Sequence, residues 1–249
     1  MPAVASSPDP GAAGGWGRPL AVAAAVTAAV AGLSWGLPPR FAATGVGLAF
    51  LGATWLLVLR HDDETVRRHG LALGGLLEPG RLDARRLLFG GVNALLAAGV
   101  AAVAIFPVFV FGYRLYWGRF VGHPLVWQGA PLALPAGFFD ESLGQLLVIA
   151  LPEEAFYRGY LQTALDAASP PRWSLFGARF GLALPISCAI FALGHLATDP
   201  SPARLAVFFP ALVFGLLRAR TGGIGASVAF HAACNLFVLL LQKNFGLAR

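Results

Sequence analysis

The sequence predicts an all-α polytopic membrane protein with about seven transmembrane helices around a polar cavity. Three observations carry this expectation. Of 249 residues, 57% are hydrophobic and only 12% charged, where an average soluble domain has about 25% charged residues. Apolar stretches recur from Leu20 to Leu241, and no polar block between them is long enough to fold separately. Three short polar groups with ionisable side chains lie inside these stretches in the second half of the chain.

Residues 1–18, rich in Ala, Gly, Pro and Ser, can bury too little apolar surface to order themselves and read as a flexible tail. The Ala-rich run that follows has only Arg18 as a basic flank, and further apolar runs come after it. It therefore reads as a retained first span and not as a signal peptide. A helix crossing the hydrocarbon core needs about 20 mainly apolar residues. That criterion gives spans near 20–37, 41–59, 87–113, 139–168, 174–198, 203–219 and 223–242. The stretch 115–137, with Trp117, Trp127 and several prolines, is open to two readings, an interfacial or re-entrant loop or an eighth crossing. Residues 81–89 read either as an amphipathic helix on the membrane surface or as a charged linker. The chain thus divides into the tail 1–18, N-terminal transmembrane helices and loops 19–137, and a C-terminal helical core 138–249.

The loop between the second and third spans holds Arg60, Arg67, Arg68, Arg81, Arg85 and Arg86, more than any other. Short basic loops stay in the cytoplasm, so the N-terminus is expected there too, with the C-terminus outside. The net charge of +6 is spread over short segments without a basic stripe and interleaved aromatics, which argues against nucleic acid and for lipid headgroups. Of the 18 basic residues only Lys243 is a lysine. With abundant Ala, Gly and Arg, this suggests a GC-rich bacterial genome and hence the bacterial inner membrane. Cys188 and Cys234 lie in apolar runs, where a free Cys behaves as a small hydrophobe, and no disulfide framework is present.

A charged residue at the centre of a membrane helix costs about 2.5–3.5 kcal/mol, so such residues face a cavity or one another. The three groups are Glu153 to Arg158 after Pro152, Phe191 to His195, and His231 to Asn235. Residues four apart share a helix face, which pairs Glu154 with Arg158 and sets His231 above Asn235. Glu153 lies about 100° away from that face and is left free for chemistry. Pro152 removes a backbone donor just before it and can kink the helix. Taken singly, Glu154 with Arg158 reads as a structural ion pair, and the histidines and Asn235 as interhelical glue. Their coincidence in one half of the chain favours a site. A carboxylate and a histidine can together take a proton from water, and a second histidine with an amide can stabilise the oxyanion formed when water attacks a carbonyl. His61, His69 and His123 fall in loops and receive no role.

At these residues the sequence resembles the CPBP family, the CAAX proteases and bacteriocin-processing enzymes, also called the Abi family of intramembrane proteases. The family pattern is Glu-Glu-x-x-x-Arg, then Phe-x-x-x-His, then His-x-x-x-Asn, each on its own membrane helix. Here the motifs read EEAFYR from Glu153 to Arg158, FALGH from Phe191 to His195 and HAACN from His231 to Asn235. The resemblance covers Leu146 to Leu240. It implies a helical bundle around a water-accessible cavity and a glutamic-type intramembrane endopeptidase. In that scheme Glu153 and His195 activate water, His231 and Asn235 form the oxyanion site, Glu154 and Arg158 brace the first motif, and Phe191 packs. The substrate would be a membrane-anchored protein or peptide, and no cofactor is expected. Zinc on Glu153, His195 and His231 is the less favoured alternative, since the chain has no H-E-x-x-H helix. C-terminal processing of sorted surface proteins, as in a myxosortase-like branch, is one implied role; the predicted topology turns His195 toward the external side. Two rival functions stand beside the protease. One is a non-catalytic scaffold or immunity protein; the other is a small transporter, against which speaks the lack of paired interrupted helices in two halves.

Overall fold

The computed structural model describes residues 15–75, 83–128 and 134–247. Helix α1 (Gly17–Gly36) opens within the segment read as a tail, of which residues 1–14 lie outside the described residues. Helix α2 (Pro39–Leu59) begins on a proline, whose missing N–H belongs to a first turn that has no intrahelical acceptor in any case. The short α3 (Asp63–Arg68) is capped by Asp62, whose Oδ1 accepts from the Thr65 backbone N–H at 2.8 Å. That backbone bond is the largest of the contacts that lower the Asp62 carboxyl below its ordinary pKa. Then come α4 (Ala84–Phe120) and α5 (138–168), a continuous helix with wide π-type turns at Gly144–Ala150 and Ala155–Gln162. The hairpin β1 (Trp173–Leu175) and β2 (Ala178–Phe180) precedes α6 (Ala183–Thr198), α7 (Pro202–Thr221) and α8 (Gly225–Asn244).

Five of these helices, α1, α2, α4, α7 and α8, are long and apolar enough to cross a membrane. With the central α5 and the shorter apolar α6 they make a bundle of seven helices, an all-α polytopic membrane fold. Contacts at the helix ends fix the alternation. At one end Trp16 Nε1 donates to Leu165 O at 3.3 Å, Arg218 Nη2 to Arg68 O at 3.0 Å, and Ile224 N to Gly70 O at 3.0 Å. At the other, Trp35 Nε1 donates to Ala197 O at 2.9 Å and Gln128 N to Asn244 O at 2.7 Å. The first end carries the arginines of 60–68, 85–86, 172–179 and 218–220, and is called the arginine-rich end below.

Two sequence expectations need correction. The span at 174–198 begins as a hairpin: Phe176 and Gly177 take positive φ (50° and 80°) between the paired Leu175 and Ala178. A two-residue turn with both φ positive matches the twist of an antiparallel pair, so the apolar run Trp173 to Phe180 turns back on itself. The helix α6 that follows has 16 residues, about 24 Å at 1.5 Å per residue. Residues 84–89 form no separate surface helix; they are the first turns of α4, capped by Asp83, whose Oδ1 accepts from Arg85 N at 2.9 Å. Arg81 and Leu82 lie outside the described residues. Beyond α4 the chain runs to Gln128 without regular secondary structure, with Leu125 buried against Leu241 and Phe245; residues 129–133 lie outside the described residues.

Helix α5 sits at the centre and packs on α2, α6 and α8, with Phe156, Phe191, Phe214 and Phe230 fully buried around it. Helix α4 leans on α8 through Phe106 and Phe237, stacked at 4.1 Å, and leaves Leu95, Val100, Val103 and Phe111 exposed, as a lipid-facing helix does. A close approach of backbones fixes α2 against α5: a Cβ added at Gly47 would lie 2.5 Å from Val148 O. Gly47→Ala should therefore destabilise the detergent-solubilised protein by about 1–3 kcal/mol, the usual cost of overpacking. Gly52→Ala, where a Cβ meets nothing within 4 Å, should be neutral or stabilising. Thermal unfolding followed by tryptophan fluorescence compares the two.

Candidate active site

The centre of the bundle holds two adjacent glutamates in different circumstances. Glu154 is fully buried, and its Oε1 accepts from Arg158 Nη1 at 3.0 Å and from His231 Nδ1 at 2.9 Å. Arg158, also fully buried, donates from Nη2 to Ala211 O of α7 at 3.1 Å. Its guanidinium carbon lies 4.6 Å from the Phe191 ring centroid and 5.2 Å from that of Phe214, so aromatic faces of α6 and α7 cover the cation. The His231 ring stacks on Phe214 at 4.7 Å and 14°. Phe191 meets the His195 ring at 4.4 Å and the edge of His231 at 5.9 Å.

Glu153 stands outside this network. Its side chain is 12% exposed, and Oε2 lies 3.8 Å from His231 Nε2, beyond hydrogen-bond reach. Oε2 is buried without a hydrogen-bond partner. The carboxylate lines a cavity of about 320 Å³ together with Tyr157, Gly194 and His195. That cavity continues past Ser34, Ala42, Thr198 and Arg204, so it extends away from the arginine-rich end. A larger cavity, about 460 Å³, lies at the arginine-rich end and contains none of the motif residues; its size gives it no chemistry.

Hydrogen-bond partners assign the imidazole protons. His195 Nδ1 lies 3.1 Å from Phe191 O, and a carbonyl can only accept, so Nδ1 carries a hydrogen, and in the neutral ring Nε2 holds the lone pair. His231 Nδ1 faces a carboxylate that already accepts from Arg158, so it too is the protonated nitrogen. Tyr157 lies one turn after Glu153, with its hydroxyl so near Gly194 that a Cβ there would come within 2.8 Å of it.

The six residues singled out from sequence thus fall into three placements. Glu153 and His195 share a cavity; Glu154, Arg158 and His231 form the buried network beside it. Asn235, one turn after His231, donates from Nδ2 to Gln145 Oε1 at 2.7 Å, and Gln145 Nε2 donates to Glu141 Oε1 at 2.8 Å. Sequence reasoning missed Gln145, Tyr157 and Phe214. Gln145 and Tyr157 lie at multiples of four residues from Glu153, a periodicity that could have found them; nothing local marks Phe214. Among the described residues, no three His, Cys, Asp or Glu side chains are grouped so as to hold a metal ion.

Residues 135–237 match the model of the Rce1-like family, described as type II CAAX prenyl endopeptidase Rce1-like. Comparison with curated proteins gives no significant match, and comparison with solved structures gives none either. The matched residues begin just before α5, end within α8, and include Glu153, His195, His231 and Asn235. This segment, which carries all three polar motifs in order, is thus similar to the Rce1-like family of CAAX prenyl endopeptidases.

Proposed function

We propose that the protein is a glutamic-type intramembrane endopeptidase in which Glu153 and His195 activate water. The observation that carries this reading is Glu153 Oε2, a buried carboxylate oxygen without a hydrogen-bond partner in the cavity that also holds His195. Water between the Glu153 carboxylate and the Nε2 lone pair of His195 gives a proton to Glu153 as its oxygen attacks the scissile carbonyl carbon. The carbonyl π pair moves to oxygen, and the oxyanion is stabilised by His231 and Asn235. Collapse re-forms the carbonyl and breaks the C–N bond, and the proton held by Glu153 passes to the leaving amine. His231 already spends Nδ1–H on Glu154, so donation from Nε2 requires the imidazolium. Glu154 and Arg158 brace the first motif and take no part in proton transfer.

The cavity extends away from the arginine-rich end. Because basic loops remain in the cytoplasm, its mouth then faces outward across a bacterial inner membrane. The substrate that fits is an exported, membrane-anchored protein or peptide, and C-terminal processing of sorted surface proteins is the role we favour.

Three outcomes are expected. Glu153→Gln should cleave anchored proteins of the source organism about 10²–10⁴-fold more slowly, the range of general-base catalysis, with fragments mapped by mass spectrometry. Equal fragment yields from variant and wild type would leave a scaffold as the better account. Arg158→Met should lower stability by about 3–5 kcal/mol because it strands the buried Glu154 charge, and adding Glu154→Gln should recover part of the loss in detergent unfolding. In a Cys188→Ala, Cys234→Ala background, Thr198→Cys at the cavity rim should react with a membrane-impermeant thiol reagent added outside spheroplasts. Labelling only after lysis would reverse the assigned sidedness.

A further inference from the structure

The hydrogen bonds from Glu141 through Gln145 to Asn235 have a direction that chemistry imposes. An ionised carboxylate accepts and cannot donate. Glu141, in the first turn of α5, therefore fixes the Gln145 amide with its NH₂ toward Glu141, where Nε2 lies 2.8 Å from Oε1. The Gln145 carbonyl must then face the other way, toward Asn235, and Oε1 accepts from Asn235 Nδ2 at 2.7 Å. An acceptor at that point forces Asn235 to present its own NH₂ there. Without it, the Asn235 amide could rotate by half a turn and exchange donor for acceptor at no cost in shape. Gln145 stands in the wide π-type turn Gly144–Ala150, a distortion often found at functional sites.

We infer that Gln145 is a positioning residue which, held by Glu141, locks the Asn235 amide in its donor orientation. This rests on the reading that Asn235 donates to the oxyanion. The lock keeps the second N–H of Asn235 Nδ2 available as a donor, and excludes the flipped rotamer whose oxygen would repel the developing negative charge. Glu141 and Gln145 do not touch the reacting atoms.

The test compares Gln145→Leu, Glu141→Gln and the double swap Glu141→Gln, Gln145→Glu, with Asn235→Ala and Glu153→Gln as references. The probe is a quenched-fluorescent peptide carrying a sequence whose cleavage depends on Glu153. Gln145→Leu should lower kcat about tenfold, as loss of an orienting partner commonly does, and leave KM unchanged. The double swap restores the chain of donors, since the new amide at 141 donates to the new carboxylate at 145, which accepts from Asn235; it should recover most of kcat. A role for Gln145 in packing alone predicts no rescue by the swap. Wild-type kcat in Gln145→Leu, with Asn235→Ala and Glu153→Gln inactive, would overturn the inference and leave the protease reading intact. Full activity in Asn235→Ala would instead remove the oxyanion role on which it rests. A second measurement needs no substrate. The chain contains three asparagines, Asn93, Asn235 and Asn244, so ¹⁵N-asparagine labelling gives three side-chain amides, with Asn235 identified by its loss in Asn235→Ala. Its NH₂ should exchange slowly in wild type and in the swap and quickly in Gln145→Leu; equal exchange in all three would also overturn the inference.

Discussion

The buried ion pair between Glu154 and Arg158 is the constraint on which the rest of the bundle depends. Two charges removed from water need partners besides each other, and here those partners come from three other helices. Arg158 reaches the Ala211 carbonyl of α7. Phe191 of α6 and Phe214 of α7 cover the guanidinium. Glu154 shares one oxygen between Arg158 and His231 of α8. Moving any of these helices would expose or orphan a charge, so the pair sets their spacing. It also sets the orientation of the His231 ring, and a structural interaction thereby aims a residue of the proposed chemistry.

A central helix this polar needs neighbours that come close. Between lipid-embedded helices there is little hydrophobic drive, and packing with interhelical hydrogen bonds holds them. Small residues supply the approach at each face of α5. Gly47 of α2 meets the Val148 carbonyl, Gly194 of α6 meets the Tyr157 hydroxyl, and Gly215 of α7 meets Gln162. At the last of these the gap is closed by a hydrogen bond, Gln162 Nε2 to Gly215 O at 3.3 Å. The same closeness shapes the cavity: Gly47 and Gly194 line it with Glu153 and His195, so the room for a substrate carbonyl comes from missing side chains.

Hydropathy made the seven apolar segments legible because lipid demands length and apolarity from each crossing. It misled at Trp173 to Phe180, where Trp, Leu and Phe satisfy the same window in a hairpin, and only the Gly177 turn gives a local hint. Asp83, followed by an apolar run, is a helix-start signal that argues for α4 beginning there and against a separate surface helix. Within the site, the spacing of Glu154 and Arg158 identified the 3.0 Å pair, because four residues along one helix is a local relation. The bond between Glu154 and His231 spans 77 residues and that between Asn235 and Gln145 spans 90. No pattern along a single chain encodes which of two adjacent glutamates a distant histidine will choose; that follows from the face that Arg158 has already taken.

That choice separates the two histidines chemically. Both hold a hydrogen on Nδ1 and turn Nε2 away from it, but their acceptors differ. His195 rests on the neutral carbonyl of Phe191. His231 has the Glu154 carboxylate 2.9 Å from one nitrogen and the Glu153 carboxylate 3.8 Å from the other. In the proposed reaction the histidine that helps Glu153 activate water and the histidine that donates to the oxyanion are therefore distinguished by their partners, although the side chains are identical. Glu153 has its Oε2 3.8 Å from His231 Nε2 and shares its cavity with His195, so the proposed reaction draws on both rings.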